Sequence, residues 1–392
     1  MSRPYRSIYT LSFAHLVTDI YMPVITAVLP LLIADRGLSF FSAGLLVTAY
    51  NLTSSVTQPL FGWLSDYKGR QIHVSTSLLI SALFMALIGV VTSYPLLILC
   101  ASLAAIGHAC FHPNALSIVS RAAGDQNRAR ITALFVVGGN IGYALGPILA
   151  GGVVFFFGLP GLLLLLPPAI LMAVILRYLL PPISRDVQPA ALETVPLSFK
   201  DLRPVTRLFA ASTLRAWAVF SAIAFFPPLL ISRGYDLFTA DLLITVMLFA
   251  GVAGQLTGGY LADRYGKKEF TIIGLLCSIP FLVLFLGTEG SLSILSLVIF
   301  GFFLWSNFAV TVAMSHELMP RSVGLASGLM LGVAIGAGGI GVAVSGMIAD
   351  SYSLMAALAL IPVLLLAAAA LMLFVRYPWK SIGGKKKTDI PA

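Results

Sequence analysis

The chain has 392 residues, 59% of them hydrophobic and 10% charged, with a mean hydropathy of +0.98 and a formal net charge of +9. Soluble domains carry roughly 25% charged and about 45–50% apolar residues, so a water-soluble globule is excluded. Three well-separated cysteines, Cys100, Cys110 and Cys277, exclude a disulfide scaffold, and in so apolar a chain basic residues set membrane topology rather than nucleic-acid binding.

Apolar runs long enough to cross about 30 Å of hydrocarbon as helices recur from end to end. Twelve are expected, at 8–33, 40–63, 74–93, 96–121, 129–157, 160–180, 205–231, 238–262, 270–288, 291–315, 321–349 and 352–376. They are too long and too uniformly apolar for barrel strands. The first is expected to be a retained helix: Arg3 and Arg6 resemble the basic start of a signal peptide, but the run reaches Ile33, carries Asp19 and meets no small-residue cleavage site. Twelve spans put both termini on one side. Only Arg36 and Arg233 fall in loops on the opposite side and only Arg215 falls inside a span, while all other Lys and Arg lie on the side of the termini. That asymmetry places both termini in the cytoplasm. The polar stretch 181–204 reads as a cytoplasmic linker between an N-terminal bundle, 1–180, and a C-terminal bundle, 205–376, followed by a tail over 377–392.

A repeat relates the two halves. Residues 58–70 read QPLFGWLSDYKGR and residues 255–267 read QLTGGYLADRYGK. A shift of 197 aligns Gln58 with Gln255, Gly62 with Gly259, Asp66 with Asp263, Gly69 with Gly266 and Arg70 with Lys267. Parallel six-helix repeats characterise one large class of transporters. The doubled G-x-L-x-D-x-x-G-[RK] loop resembles that of the major facilitator superfamily. The resemblance implies an all-α membrane protein with twelve transmembrane helices in two pseudo-symmetric six-helix bundles around a central cavity, working as a monomer by alternating access. SFAHLVTDIY (12–21), Phe111-His112-Pro113, VVGGNIGYALGP (136–147), and HELMP (316–320) leading into GLASG (324–328) are similar to the fosmidomycin-resistance family of bacterial drug-efflux transporters within that superfamily.

Asp66 and Asp263 lie in Gly-containing turns, where a carboxylate can accept N–H bonds at a helix N-terminus and meet its positive dipole end. The resemblance implies that Asp66 meets the start of the eleventh span at Arg321–Ser322 and Asp263 the start of the fifth near Ala129, with Arg70, Lys267 and Lys268 pairing with them. Such contacts would form when the cytoplasmic side closes and break when it opens. The plainer reading is a solvated turn that ends a helix. Tyr67 stands where the family has a basic residue. The fifth span carries Gly138, Gly139, Gly142, Gly146, Pro147, Gly151 and Gly152, a pattern resembling the superfamily's antiporter motif, and the eleventh carries Gly332, Gly336, Gly338, Gly339 and Gly341. Small residues let helices approach and Pro bends them. Both spans are expected to pack across the interface between the halves, as plain packing or as a periplasmic seal.

A charge at the bilayer centre costs about 2.5–3.5 kcal/mol on insertion scales, so it marks a cavity or a partner. Asp19 lies mid-span with His15 one turn before it on the same face. Shifting Thr18 by 197 gives Arg215 in the seventh span, which makes an Asp19–Arg215 ion pair across the cavity geometrically open. Three readings stand: proton coupling at Asp19 with help from His15, a static ion pair, or substrate contact. His108 and His112 repeat the i, i+4 spacing in the fourth span; they line the cavity or bond helix to helix. As a metal pair they lack a third and fourth ligand placed by sequence, so no metal and no cofactor are expected. Asn51, Asn140, Trp217, Trp305 and Asn307 are candidates for the substrate cavity, each equally open to a packing role.

No G-x-S-x-G elbow, no H-E-x-x-H helix and no phosphate-binding loop occurs, so an enzyme is not expected. The expected function is proton-coupled efflux of small drugs or metabolites across a bacterial inner membrane, its partners being a small-molecule substrate, protons and the lipid bilayer. The alternative is proton-coupled uptake of a small anionic nutrient, with Arg215 as the anion's partner.

Overall fold

The computed structural model describes the backbone of residues 3–68, 72–180, 205–320 and 322–380, and the side chains of 7–64, 72–119, 131–180, 205–320, 322–323 and 325–380. The expected linker and the end of the tail lie outside them.

The first span is two half-helices, Arg3–Asp19 and Val24–Arg36. Pro23 has no N–H to offer the Asp19 carbonyl, and its ring crowds that carbonyl. The chain therefore tightens after Asp19, and the Met22 N–H bonds the Asp19 oxygen at 3.2 Å instead. The break leaves Asp19 at the C-terminal end of a half-helix inside the membrane.

Ten helices among the described residues are long and apolar enough to cross a membrane. Phe40–Lys68 takes the second place and Val74–Leu87 the third. At 14 residues the third helix is shorter than expected, because the chain turns over Ile88–Val90 before reaching the next start at Tyr94. His73 caps it, its Nδ1 accepting from the Ser75 N–H at 3.2 Å. Burial, with Arg177 nearby, holds this ring below the ordinary histidine range and so keeps it able to accept.

Helical backbone runs from Tyr94 to Phe157. His112 and Phe135 both touch His15, at 3.1 and 2.7 Å. A straight helix would hold those two residues about 35 Å apart, so the run reverses between them. The fourth and fifth spans thus lie side by side as a hairpin. In the second half, Thr206–Ser232, Leu237–Tyr265 and Lys267–Gly287 form the seventh to ninth spans. The tenth is interrupted at Asn307, between Gly290–Ser306 and Phe308–Leu318. The eleventh passes through a π-helical turn, Gly328–Val333, before Ala334–Ser351, and Leu354–Leu373 is the twelfth.

The halves meet through three helix pairs among the described residues: second with eleventh, fifth with eighth, and Val24–Arg36 of the first with the seventh. A Cβ on Gly44 would collide with the Val342 carbonyl, and one on Gly346 with that of Phe40. Thr48 Oγ1 donates to the Gly339 carbonyl at 2.7 Å, and the Ile148 N–H to Thr245 Oγ1 at 3.1 Å. These contacts lie on the side away from the termini and reach the middle. Toward the termini they stop. A Cβ on Gly259 or Gly328 would meet nothing within 4 Å, and Leu60, Leu256 and Tyr260 are exposed. Among the described residues the closest contacts between the halves lie on the side away from the termini and in the middle.

Candidate site in the transmembrane core

Asp19 is buried among imidazoles. Its Oδ2 lies 3.1 Å from His15 Nε2, and its Oδ1 lies 3.3 Å from His108 Nε2 and 3.4 Å from His112 Nε2. Each helical i, i+4 pair presents one face, and the hairpin brings the fourth span's face against the first span's. The fifth span closes the site. His15 Nδ1 is 2.7 Å from the Phe135 carbonyl, and the two rings stack at 4.1 Å. Gly139 supplies the space: a Cβ there would run into the His15 ring and Asp19 Oδ2. The site therefore belongs wholly to the first half.

Arg215 does not pair with Asp19. Its guanidinium lies over the Phe308 ring at 5.2 Å, and its buried Nε has no hydrogen-bond partner. The pseudo-symmetric mate of Arg215 is Thr18, which is turned about 100° around the helix from Asp19 and donates to its own Ala14 carbonyl at 2.8 Å. Asp19 instead faces back into its own half, where His108 and His112 take the place expected for Arg215.

Asn51 is buried beside Gly339 and lines a small cavity at the helix break with Pro23, Tyr50, Tyr143 and Phe220. Asn140 Nδ2 donates to Gln255 Oε1 at 3.2 Å and so links the halves. Trp217 lies on Gly341 and donates from Nε1 to Ser345 Oγ at 2.9 Å, while Trp305 lies on Gly251. Asn307 is fully buried at the break in the tenth span, and its amide has no partner. Gly142 faces the Leu16 carbonyl and Gly146 faces Pro23, so these two pack inside the first half rather than across the interface expected for them. Gly151 faces Asp241 of the eighth span, and Gly336 faces Ser55 of the second, across the interface. Pro147 lies within the fifth span, beside the Ile148 N–H that bonds across to Thr245.

The side chains of Asp66, Arg70 and Arg321 lie outside the described residues. Among the described residues Asp263 pairs within its own half, 3.7 Å from Lys267, which also pairs with Glu317; the side chains at the start of the fifth span near Ala129, expected to meet it, lie outside them. Lys380 Nζ donates to the carbonyls of Asp263 and Arg264, at 2.6 Å each. Tyr377 donates to Glu317, and burial together with that carboxylate raises its hydroxyl above the ordinary tyrosine range.

Two carboxylates escaped the sequence reading. Asp241 is fully buried against Gly151, and neither of its oxygens has a hydrogen-bond partner. The rule that singled out Asp19, a charge within an apolar run, finds it equally well. Asp350, at the end of the eleventh span, accepts from the N–H groups of Phe40 and Phe41 at 2.8 Å each. It caps the second span from the other half, where the helix dipole favours an anion. Opening this side must break both bonds. A cap of this kind contributes about 1–2 kcal/mol, a factor of 5–30. In an otherwise cysteine-free chain carrying Val342→Cys, Asp350→Ala is expected to speed thiol labelling from this side by such a factor. An unchanged rate would remove the latch.

A family model described as Major Facilitator Superfamily matches residues 11–240 and, a second time, 208–389. The chain is 28% identical over 358 residues to the fosmidomycin resistance protein of Escherichia coli K12, covering 88% of this chain and 86% of that one. It is 30% identical over 376 residues to the uncharacterized MFS-type transporter YfnC of Bacillus subtilis 168, covering 92% and 91%. The multidrug resistance protein MdtG of Salmonella arizonae is 26% identical over 280 residues, 65% of this chain and 66% of that one. In fold, the chain matches an inward-facing, unoccupied bacterial homolog of the human lysosomal transporter Spinster with a TM-score of 0.81 at 18% identity, covering 96% and 97% of the two chains.

Proposed function

Since the chain belongs to the Major Facilitator Superfamily, we propose that this transporter exports small drugs or metabolites by alternating access, in exchange for protons. One observation carries the reading. Among the described residues the halves touch on the side away from the termini and in the middle, and we infer that they part toward the termini. The basic residues put the termini in the cytoplasm of a bacterial inner membrane, so the cleft faces the cytoplasm and is poised to take up a substrate for export. The resistance names of two relatives fit that direction. Residues 1–180 and 205–376 act as the two rocking bundles, joined by 181–204, and one chain suffices.

Arg215 favours the second reading, uptake of a small anion, because it is a buried cation with no carboxylate partner among the described residues. Everted vesicles with an imposed pH gradient, offered a panel that includes phosphonate antibiotics, separate the two. Entry driven by internal acid supports export. Accumulation by right-side-out cells alone would contradict it.

A further inference from the structure

We propose that His15, Asp19 and His112, with His108 beside them, form a binding site for a divalent transition-metal ion of the zinc class. The proposal goes beyond the transport reading and stands independently of it. The sequence places only an i, i+4 histidine pair in the fourth span. The fold supplies the missing ligands from the first. Three of the chain's five histidines meet at one carboxylate, and the ligand atoms of His15, Asp19 and His112 all lie within 4.8 Å of one another.

For His15, Asp19 and His112 the spacing is that of a coordination sphere, and His108 touches the site through Asp19 Oδ1. Four ligands at about 2.0–2.1 Å from a tetrahedral zinc stand about 3.3 Å apart. Here His15 Nε2 lies 3.1 Å from Asp19 Oδ2 and 3.1 Å from His112 Nε2. His112 Nε2 and His108 Nε2 lie 3.4 and 3.3 Å from Asp19 Oδ1.

The tautomers point the same way. A carbonyl oxygen can only accept, so His15 Nδ1, at 2.7 Å from the Phe135 carbonyl, carries the hydrogen. His112 Nδ1, 3.0 Å from the His108 carbonyl, does so as well. In the neutral rings both Nε2 atoms are then bare lone pairs, facing each other and a carboxylate. A proton placed between the two nitrogens satisfies that pair alone. It leaves the Asp19 carboxylate, 3.1 Å from His15 Nε2, without a share. One cation satisfies the inward-facing lone pairs of His15, His112 and Asp19 together. Donation of the outer N–H to a backbone carbonyl is also how metal-bound histidines are usually held in orientation.

The donor set selects the ion. Two imidazoles and one carboxylate, with a third imidazole close by, suit zinc, cobalt, nickel or copper, whereas magnesium and calcium take oxygen ligands. Two i, i+4 pairs on facing helices resemble the way helix bundles build metal sites in their cores. Gly139 leaves the room that the rings and the carboxylate occupy.

The test uses the full-length chain, purified without a histidine tag, freed of metal and titrated with Co²⁺. The expected result is one Co²⁺ per chain with the intense visible absorption of a tetrahedral site, bleached by Zn²⁺. Asp19→Asn and His112→Ala should each weaken binding at least about tenfold, while His73→Ala and His316→Ala leave it unchanged. X-ray absorption of the zinc-loaded wild-type chain reads the ligands without any substitution, which guards against variants that fail to fold. It should show imidazole nitrogen at about 2.0–2.1 Å. Absence of the visible band, a zinc shell made only of water oxygen, or full affinity in a folded His15→Ala/His112→Ala chain would each overturn the proposal.

Discussion

Gly142→Leu is expected to remove nearly all folded protein from the membrane, while Gly259→Leu leaves the folded yield unchanged. A Cβ at Gly142 would run into the backbone of Leu16, which cannot swing aside as a side chain does. Overpacking a tight contact costs about 1–3 kcal/mol and more when only backbone can move. In a membrane, helices associate through close packing rather than hydrophobic exclusion, so such a contact has no substitute. Gly259 has nothing within 4 Å of an added Cβ. Leucine there fits the parted side but obstructs its closure, so transport should fall although folding does not. Size-exclusion profiles of solubilised protein, paired with vesicle transport, measure both. Equal folded yields for the two variants would refute the packing argument.

Asp66→Asn is expected to cut transport at least tenfold with insertion and folding intact. By the superfamily resemblance, we propose that the carboxylate of this turn bonds free N–H groups at the start of the eleventh span once the side of the termini closes. Its repeat mate, Asp263, pairs among the described residues with Lys267 of its own half, and its side chain is 73% exposed. That is the arrangement expected of a latch on the parted side. Asparagine keeps the shape and an acceptor oxygen but loses the charge, so the closed state loses its charge-assisted bonds. Wild-type transport by a folded Asp66→Asn chain would leave the turn with no gating role.

The architecture was largely legible because its causes are local. Length, apolarity and the sidedness of Lys and Arg define spans without reference to contacts, and the doubled loop reveals the two halves. His15 with Asp19, and His108 with His112, could each be placed on one helix face by counting. Their convergence could not, since it depends on the reversal between the fourth and fifth spans and on the break that Pro23 imposes after Asp19. The Asp19–Arg215 pair failed for a related reason. A repeat shift aligns positions along helices, but one residue of offset turns a side chain by about 100°, enough to send Asp19 into its own half. Asp350 was illegible because its partners are backbone N–H groups 310 and 309 residues away, and a helix start advertises no particular donor to a distant acid. The glycine pattern of the fifth span announced close approach without naming the neighbour. Gly142 and Gly146 turn to the first span, whereas Gly151 and Gly152 turn to the eighth span of the other half.

The metal site and the transport cycle meet in the first span. Asp19 sits at its break, beside the small cavity lined by residues of both halves. An ion bound there would tie the first span to the fourth within one rigid bundle, leaving the contacts across the interface free to form and break.

Thiol accessibility measured from each side of the membrane tests the central claim most directly. Single cysteines at Leu60 and Leu256, on the parted side, and at Val342, on the closed side, are labelled with a membrane-impermeant reagent in a background lacking Cys100, Cys110 and Cys277. Two-sided rocking predicts opposite responses: whatever condition slows labelling at positions 60 and 256 from the side of the termini speeds labelling at 342 from the other face. Simultaneous access from both faces, or labelling rates that never change together in opposite directions, would contradict it.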